Sequence, residues 1–276
     1  MKDYVQNINQ EFIVSGFNLS GISSIDAGYN VPSMEPLALG NVYEPRPIQN
    51  SPGQGRFSFE RTMISVDESI TSLIGETGGF DGGLTYNSKN LNFTTGYVSS
   101  YSCSFNIDQL PTSNVEITSF GDFGPSVKIK KNSESKQDIF IPMSSGISLE
   151  CDGRETNRVL NFSMNISCQL TPLYKIGSIY PCEIISERPI KQTISIELEV
   201  DDYETKDLYD YITKGFHKKD IKISLKNKCG QENKVEYIFN NCFLMNENLN
   251  TNAEDTTRVS LQYSSSTMAK PNFKYL

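Results

Sequence analysis

YKIGSIYPCEIISERPIKQTISIELEV, from Tyr174 to Val200, ends in the clearest strand of the chain. Ile194, Ile196, Leu198 and Val200 alternate with Thr193, Ser195, Glu197 and Glu199. A period of two puts one row of side chains on a core and the other in water. The stretch has an echo 137 residues upstream, LALGNVYEPRPIQNSPGQGRFSFE, from Leu37 to Glu60. Gly177 falls on Gly40, Tyr180 on Tyr43, Ile185 on Ile48, Pro189 on Pro52, Ser195 on Ser58 and Glu197 on Glu60. These are six identities in 24 gapless positions, where average composition would give roughly one or two. Leu39/Ile176, Val42/Ile179, Phe57/Ile194 and Phe59/Ile196 are conservative. The chain therefore reads as one β-rich module used twice.

The echo extends in both directions. Upstream, Ile25, Ala27, Tyr29 and Val31 alternate with polar residues, and Phe162, Met164, Ile166 and Cys168 fall on them at the same offset. Pro32 to Gly55 is rich in Pro, Gly, Ser and Asn and reads as a long excursion between two strands, matched by Ser178 to Ile190. Downstream, each copy predicts one helix. In the second, Asp201 and Glu204 have capping-box spacing, Leu208, Tyr211 and Ile212 make an apolar stripe, and Lys214-Gly215 closes it. In the first, Asp67 and Glu68 open the helix, Ile70, Leu73 and Ile74 form the stripe, and Gly75 ends it. Further strands are expected at Phe12 to Val14, Tyr101 to Ile107, Val115/Ile117, Val127/Ile129, Ile139/Ile141 and Ile147/Leu149/Cys151. More follow at Ile221 to Leu225, Val235 to Phe239 and Val259 to Tyr263, with Asn246 to Thr257 as a polar loop. Turns are expected at Leu110-Pro111-Thr112 and Asp152-Gly153. Gly121 to Pro125 is the strongest breaker and predicts the domain boundary. The reading is a polar N-terminal arm over 1–11, a first module over 12–122 and a second over 123–276. Each is a mainly β sandwich or barrel with one packed helix.

The totals narrow the function classes. At 276 residues, 37% of them hydrophobic, either half can bury a core. No apolar run is long enough to span a membrane as a helix, and MKDYVQNINQEF lacks the features of a signal peptide. A net charge of -8 argues against a surface that grips phosphates. The six cysteines lack CxxC spacing and read as buried reduced thiols. Catalysis through a Ser-His-Asp or Cys-His site would have to use the one histidine, His217, which follows a helix end in KGFHKKD and reads as solvated. Glu197 and Glu199 share a strand face, and Asp201/Asp202 adjoin them, but a solvated face is the commoner meaning of such pairs. The basic run Lys128 to Lys136 reads as a solvated hairpin. Patterns for P-loops, EF-hands, zinc proteases and dinucleotides are missing from the sequence. No catalytic residue, metal site or cofactor is expected, and the protein is read as a non-enzyme.

The segment Ile176-Gly177-Ser178-Ile179-Tyr180-Pro181, followed by Pro189 to Val200 and an acid-capped helix, resembles the tail tube proteins of long-tailed bacteriophages. Tyr97 to Gly121, with its Leu110-Pro111-Thr112 turn, is similar to a strand pair that recurs in phage tail proteins. The resemblance implies a duplicated tail-tube module and a structural virion protein of the tail, made in the host cytoplasm. It implies self-association into rings, as trimers with pseudo-six-fold symmetry or as hexamers. Rings would stack into a conduit for DNA ejection, in contact with other tail proteins. Genomic DNA would pass without specific binding, and no membrane would be involved. Glu197 and Glu199 are the candidates for lining that lumen. Two other readings are open: a baseplate or tail-completion ring protein of the same fold, and a sugar- or peptide-binding β module.

Overall fold

The computed structural model describes residues 11–31, 33–34, 48–49, 53–63, 67–86, 89–106, 109–130, 146–151, 153–200, 218–226, 233–250 and 257–275. The first half runs through β1 (Glu11–Val14), β2 (Phe17–Leu19), β3 (Ile22–Asn30), β4 (Ser33–Met34), β5 (Ile48–Gln49) and β6 (Gln54–Thr62). It continues with α1 (Glu68–Thr71), β7 (Phe80–Tyr86), β8 (Lys89–Asn106), β9 (Thr112–Ser119) and β10 (Phe123–Gly124). The second half runs through β11 (Ile147–Cys151), β12 (Arg154–Thr156), β13 (Val159–Ser167), β14 (Leu170–Leu173) and β15 (Glu183–Ser186). It ends with β16 (Ile190–Glu199), β17 (Lys219–Lys226), β18 (Asn233–Asn250), β19 (Arg258–Thr267) and β20 (Asn272–Tyr275).

Each strand of the first half has its counterpart ten strands later, and the counterparts pair alike. The chain is mainly β and antiparallel, built from two tandem modules. Ile25 lies opposite Phe59 and Ala27 opposite Phe57; 137 residues on, Phe162 lies opposite Ile196 and Met164 opposite Ile194. The irregularities repeat too. A register shift between Ile22 and Ser24 recurs between Val159 and Asn161. One between Phe80 and Gly82 recurs between Lys219 and Ile221, and one between Val98 and Ser100 recurs between Leu244 and Asn246. A bulge bends a strand at a set place, so three coincident bulges mean two copies of one backbone design. The turn between β1 and β2 shows the same: Ser15 and Gly16 both have positive φ, as a two-residue hairpin requires, and Gly153 with φ 84 occupies the place of Gly16.

Within each module two sheets share one long strand. β8 gives its first half to a sheet with β7, β1, β2 and β10, then bends and gives its second half to a sheet with β9, β6 and β3. β18 does the same with β17, β11, β12 and β20, then with β19, β16 and β13. Apolar side chains from the two layers meet between them. In the first module, Phe12 of one layer contacts Phe57 and Phe59 of the other at 5.7 and 5.0 Å between centroids, and Phe57 meets Phe93 at 4.7 Å. These separations suit offset and tilted aromatic pairs. In the second module, Phe162 packs on Tyr237 and Phe239.

One pairing joins the modules. β8 and β13 lie side by side from Ser100 opposite Ser167 to Asn106 opposite Asn161. Phe105 stacks on Phe162 at 5.8 Å across this seam. A buried polar cluster stands beside it. Arg61 is fully buried and donates through Nε to the Ser20 carbonyl at 2.7 Å and through Nη1 to Asp67. Tyr101 donates its hydroxyl to the second Asp67 oxygen at 3.0 Å. Thr71 in α1 shares a hydrogen bond with the Tyr275 hydroxyl of β20. Arg188 caps the end of the same turn, donating to the Gly75 carbonyl at 2.9 Å. The first module's helix is thus fixed from the second module.

Several expectations change. Asn246 to Asn250 is strand, the end of β18 paired with β19, and residues 251–256 of the expected loop lie outside the described residues. Its polar composition disguised it, because backbone pairing needs no apolar side chain. Val127 and Ile129 are irregular; the Val127 carbonyl instead accepts from the Asn92 side chain at 2.6 Å. The broken first excursion contains a strand pair, β4 with β5, in the register of β14 with β15. Gly121 to Pro125 turns the chain into one more pairing, Phe123 opposite Phe93, and Glu11 already belongs to β1. The expected helix after Asp201, the Ile139/Ile141 strand, Lys131 to Lys136 and residues 1–10 of the arm lie outside the described residues. Of the cysteines, Cys103, Cys151, Cys168 and Cys242 are buried thiols, and Cys182 is an exposed one.

Two outcomes follow for the folded chain. Asp67→Ala takes the carboxylate from a buried guanidinium and should cost about 3–5 kcal/mol in urea unfolding, with Asp67→Asn costing less. Burial pushes the Cys242 thiol up to about 12 and raises Cys103 further. Cys182 should therefore alkylate at pH 8 well before either, as peptide mass mapping after brief iodoacetamide treatment will read.

Candidate functional site: a polar sheet face with two open edges

Strand pairings run without a break through β3, β6, β9, β8, β13, β16, β19 and β18. This eight-stranded antiparallel sheet presents its apolar rows to the two module cores. Its other face is largely polar because each strand alternates, with exposed Phe243 of β18, opposite Ser264, as an apolar exception. β3 contributes Ser24, Asp26 and Asn30, β6 Arg56, Ser58 and Glu60, and β9 Asn114 and Glu116. β8 and β13 contribute Ser102, Ser104, Ser163 and Asn165 along the seam. β16, β19 and β18 contribute Thr193, Ser195, Ser260, Gln262, Asn246, Asn248 and Asn250.

Both sequence-predicted site residues lie on this face. Glu197 is registered between Asn161 and Ser260, and Glu199 opposite Arg258. Glu60 occupies the place of Glu197 in the first module. Across the face, Asp26, Glu60, Glu116, Glu197 and Glu199 face Arg56, Lys191 and Arg258. Arg56 pairs with Glu116 at 2.8 Å. A shallow depression over the seam is lined by Ser102, Ser104, Asn114, Ser163, Asn165, Thr193 and Ser195. These hydroxyls and amides can offer hydrogen bonds, and the Ser104 hydroxyl accepts one from the Asn106 amide at 3.4 Å. Among the described residues no three His, Cys, Asp or Glu converge as metal ligands. His217 and Asp201/Asp202 lie outside the described residues. No helix among those described is long and apolar enough to cross a membrane.

The sheet ends in two edges that sequence reasoning did not identify. β3 pairs with β6 alone, and Asn246 to Asn250 of β18 pair with β19 alone, among the described residues. Burial shows the effect. Phe162, Met164 and Ile166 on β13 are buried, whereas Ile25 and Ala27 at the matching places on β3 are half-buried and Tyr29 is exposed. Tyr101 and Cys103 on β8 are buried, whereas Glu247 and Leu249 at their places on β18 are exposed. The one available signal was the falling apolar size along β3, from Phe162 and Met164 to Ile25 and Ala27. A further apolar surface lies on the second excursion, where Ile176, Ile179 and Tyr180 are exposed beside β14 and β15.

No family model matches the sequence. No curated protein matches it either. Among solved structures, part of the chain is similar to Hcp1 from Flavobacterium johnsoniae, at 16% identity and a TM-score of 0.29, over 47% of this chain and 98% of that one. At that score the functional reading rests on the strand pairings themselves.

Open edges make a prediction about exchange. In the isolated chain, half of the β3 amides point away from β6 and should exchange orders of magnitude faster than their counterparts on β13, which have β8 on that side. Hydrogen–deuterium exchange resolved by residue, at a concentration where the chain is monomeric, measures the difference.

Proposed function

We propose that the protein is the building block of a hollow phage tail tube, in which copies close laterally into rings and the rings stack. The observation that carries this reading is the duplicated sheet with one largely polar face and unlike edges at its two ends. A sheet of this kind leaves hydrogen-bonding groups unpaired at both edges, an invitation to association that closure removes. Head-to-tail contacts close a ring when the rotation per step fits. The two modules would supply two steps per chain, so three chains would give six-fold pseudo-symmetry. In this reading the protein is a component of the virion tail, made in the host cytoplasm and in contact with other tail proteins.

The polar face is assigned to the lumen. Glu197 and Glu199, with Glu60, place carboxylates there, and the separate cations do not form a stripe that follows a phosphate backbone. Phosphates meeting such a wall release few counterions and do not stick, which suits DNA in transit. The excursions around β4–β5 and β14–β15, with exposed Ile176 and Ile179 on the second, are assigned to contacts between successive rings.

Electron microscopy of the purified full chain tests the reading directly. Stacked tubes are expected; discrete rings that never stack would assign the protein to a baseplate or completion ring, and solitary monomers at all concentrations would sink the proposal. Assembled wild-type tubes should not retain short duplex DNA at physiological salt. Tubes carrying Glu197→Lys with Glu199→Lys should still assemble, retain DNA in a salt-dependent way and slow its ejection from virions. Unchanged retention and ejection would remove those two residues from the lumen.

A further inference from the structure

Polar ties cross from the second module to residues 67–76 of the first. Tyr275 of β20 shares a hydrogen bond with Thr71, and Lys270 pairs with Glu76. Arg188 spans the junction: Nη2 donates to the Gly75 carbonyl at 2.9 Å and Nη1 to the Ala269 carbonyl at 2.8 Å. One planar guanidinium therefore holds the end of the α1 turn and the approach to β20 together. Gly75 has φ 70, and a Cβ there would stand 2.7 Å from Ile190 Cδ1, so a glycine is needed for the turn to come this close to β16.

The two tied pieces carry little buried apolar surface of their own. α1 is about one turn, with Ile70 buried on it and Ile74 just beyond. β20 pairs with β18 alone among the described residues, from Tyr275 opposite Val235 to Asn272 opposite Ile238. Its side chains alternate between exposed and half-buried, whereas β16 buries every second residue. Phe273 meets Tyr237 edge-on at 5.4 Å. Elements built this way open at a lower free energy than core strands.

Buried thiols lie against both pieces, on the core side of the seam. Cys103, opposite Met164, is 3% exposed; burial and then the Asp67 charge raise it, and Tyr275 stands close enough to feel it. Cys168 follows the last seam pair, its amide donating to the Ser99 carbonyl at 2.9 Å. It is 5% exposed; burial raises it, opposed by the Gly75 backbone and the Arg188 charge. Cys151 and Cys242 are buried away from these ties, around Tyr263.

We infer that residues 67–76 and β20 form one lid over the core side of the seam, opening and closing as a single unit that spans both modules. The inference concerns the single chain and stands apart from the self-association proposed above. Shared ties make the opening joint. Freeing β20 takes Tyr275 from Thr71 and Lys270 from Glu76, so α1 loses its supports in the same event. The β8–β13 ladder stays paired while Cys103 and Cys168 are uncovered.

Thiol labelling and hydrogen exchange of the native full chain test the lid. Tyr275→Phe removes one hydroxyl and keeps the ring; Arg188→Ala removes the bridge between Gly75 and Ala269. Each should raise the labelling rates of both Cys103 and Cys168 by about fivefold, the factor set by one ordinary hydrogen bond. Cys151 and Cys242 should keep the parent's rates. The amides of Thr71, Ser72 and Ile74 and those of β20 should quicken by a common factor in either variant, with β13 amides still slow. Faster exchange in β20 with α1 unchanged would mean that the pieces move independently and would overturn the inference. Equal acceleration at all four thiols, faster exchange along β13, or no change anywhere would overturn it as well.

Discussion

The contact on which the rest depends is the backbone ladder between β8 and β13. It turns two sandwiches into one sheet, and it sets the direction in which that sheet runs. Seven residue pairs, from Ser100/Ser167 to Asn106/Asn161, hold it. Phe105 stacked on Phe162 locks it on the core side, and serines and asparagines hydrate it on the other. Because β8 also serves the second layer of its own module, the seam cannot move without disturbing the aromatic core around Phe93 and Phe57. The bend in β8, at the bulge between Val98 and Ser100, is where one strand passes from the one duty to the other.

The buried Arg61–Asp67–Tyr101 cluster serves the same junction. Burying a guanidinium is costly unless its partners meet it closely, and here a carboxylate and a main-chain carbonyl do. Burial and the adjacent Asp67 charge push the Tyr101 phenol well up, so it stays a neutral donor. The cluster fixes the start of α1 against β6 and β8, while from the other module Tyr275 holds its body and Arg188 holds the turn that follows it, at Gly75. Lys270 adds an ion pair with Glu76, exposed at the rim of this contact. Such surface pairs contribute little alone; the alignment of modules comes from the ladder and the rings.

Much of the architecture was legible in the residues. Strict alternation from Thr193 to Val200 placed Glu197 and Glu199 on one face because a strand has no other way to arrange them. The 137-residue echo gave the duplication, and the strand pairings extend it to registers and bulges that no identity count contains. Polar strand ends were not legible. Asn246 to Asn250 reads as loop because amide side chains carry no period, yet the backbone there pairs with β19 regardless. The pairing of β4 with β5 hid inside a Pro- and Gly-rich stretch because two residues per strand cannot show an alternation. Arg61 sits on a core-facing position of β6, between rows that the pattern marks as apolar; only the three-dimensional arrival of Asp67 explains it. Which edges stay open is a property of the pairing, and linear order does not carry it.

Carrying both modules on one polypeptide has a kinetic consequence. The β8–β13 seam forms within one molecule rather than by encounter between free subunits. A homologous sheet made from separate modules would have to find every seam by diffusion. In the assembly proposed above, every second junction would be present before any two molecules meet, which would lower the molecularity of the nucleus. In that assembly unlike modules would alternate. Any surface loop carried by only one of them would then recur at every other position, a spacing that single-module subunits cannot encode.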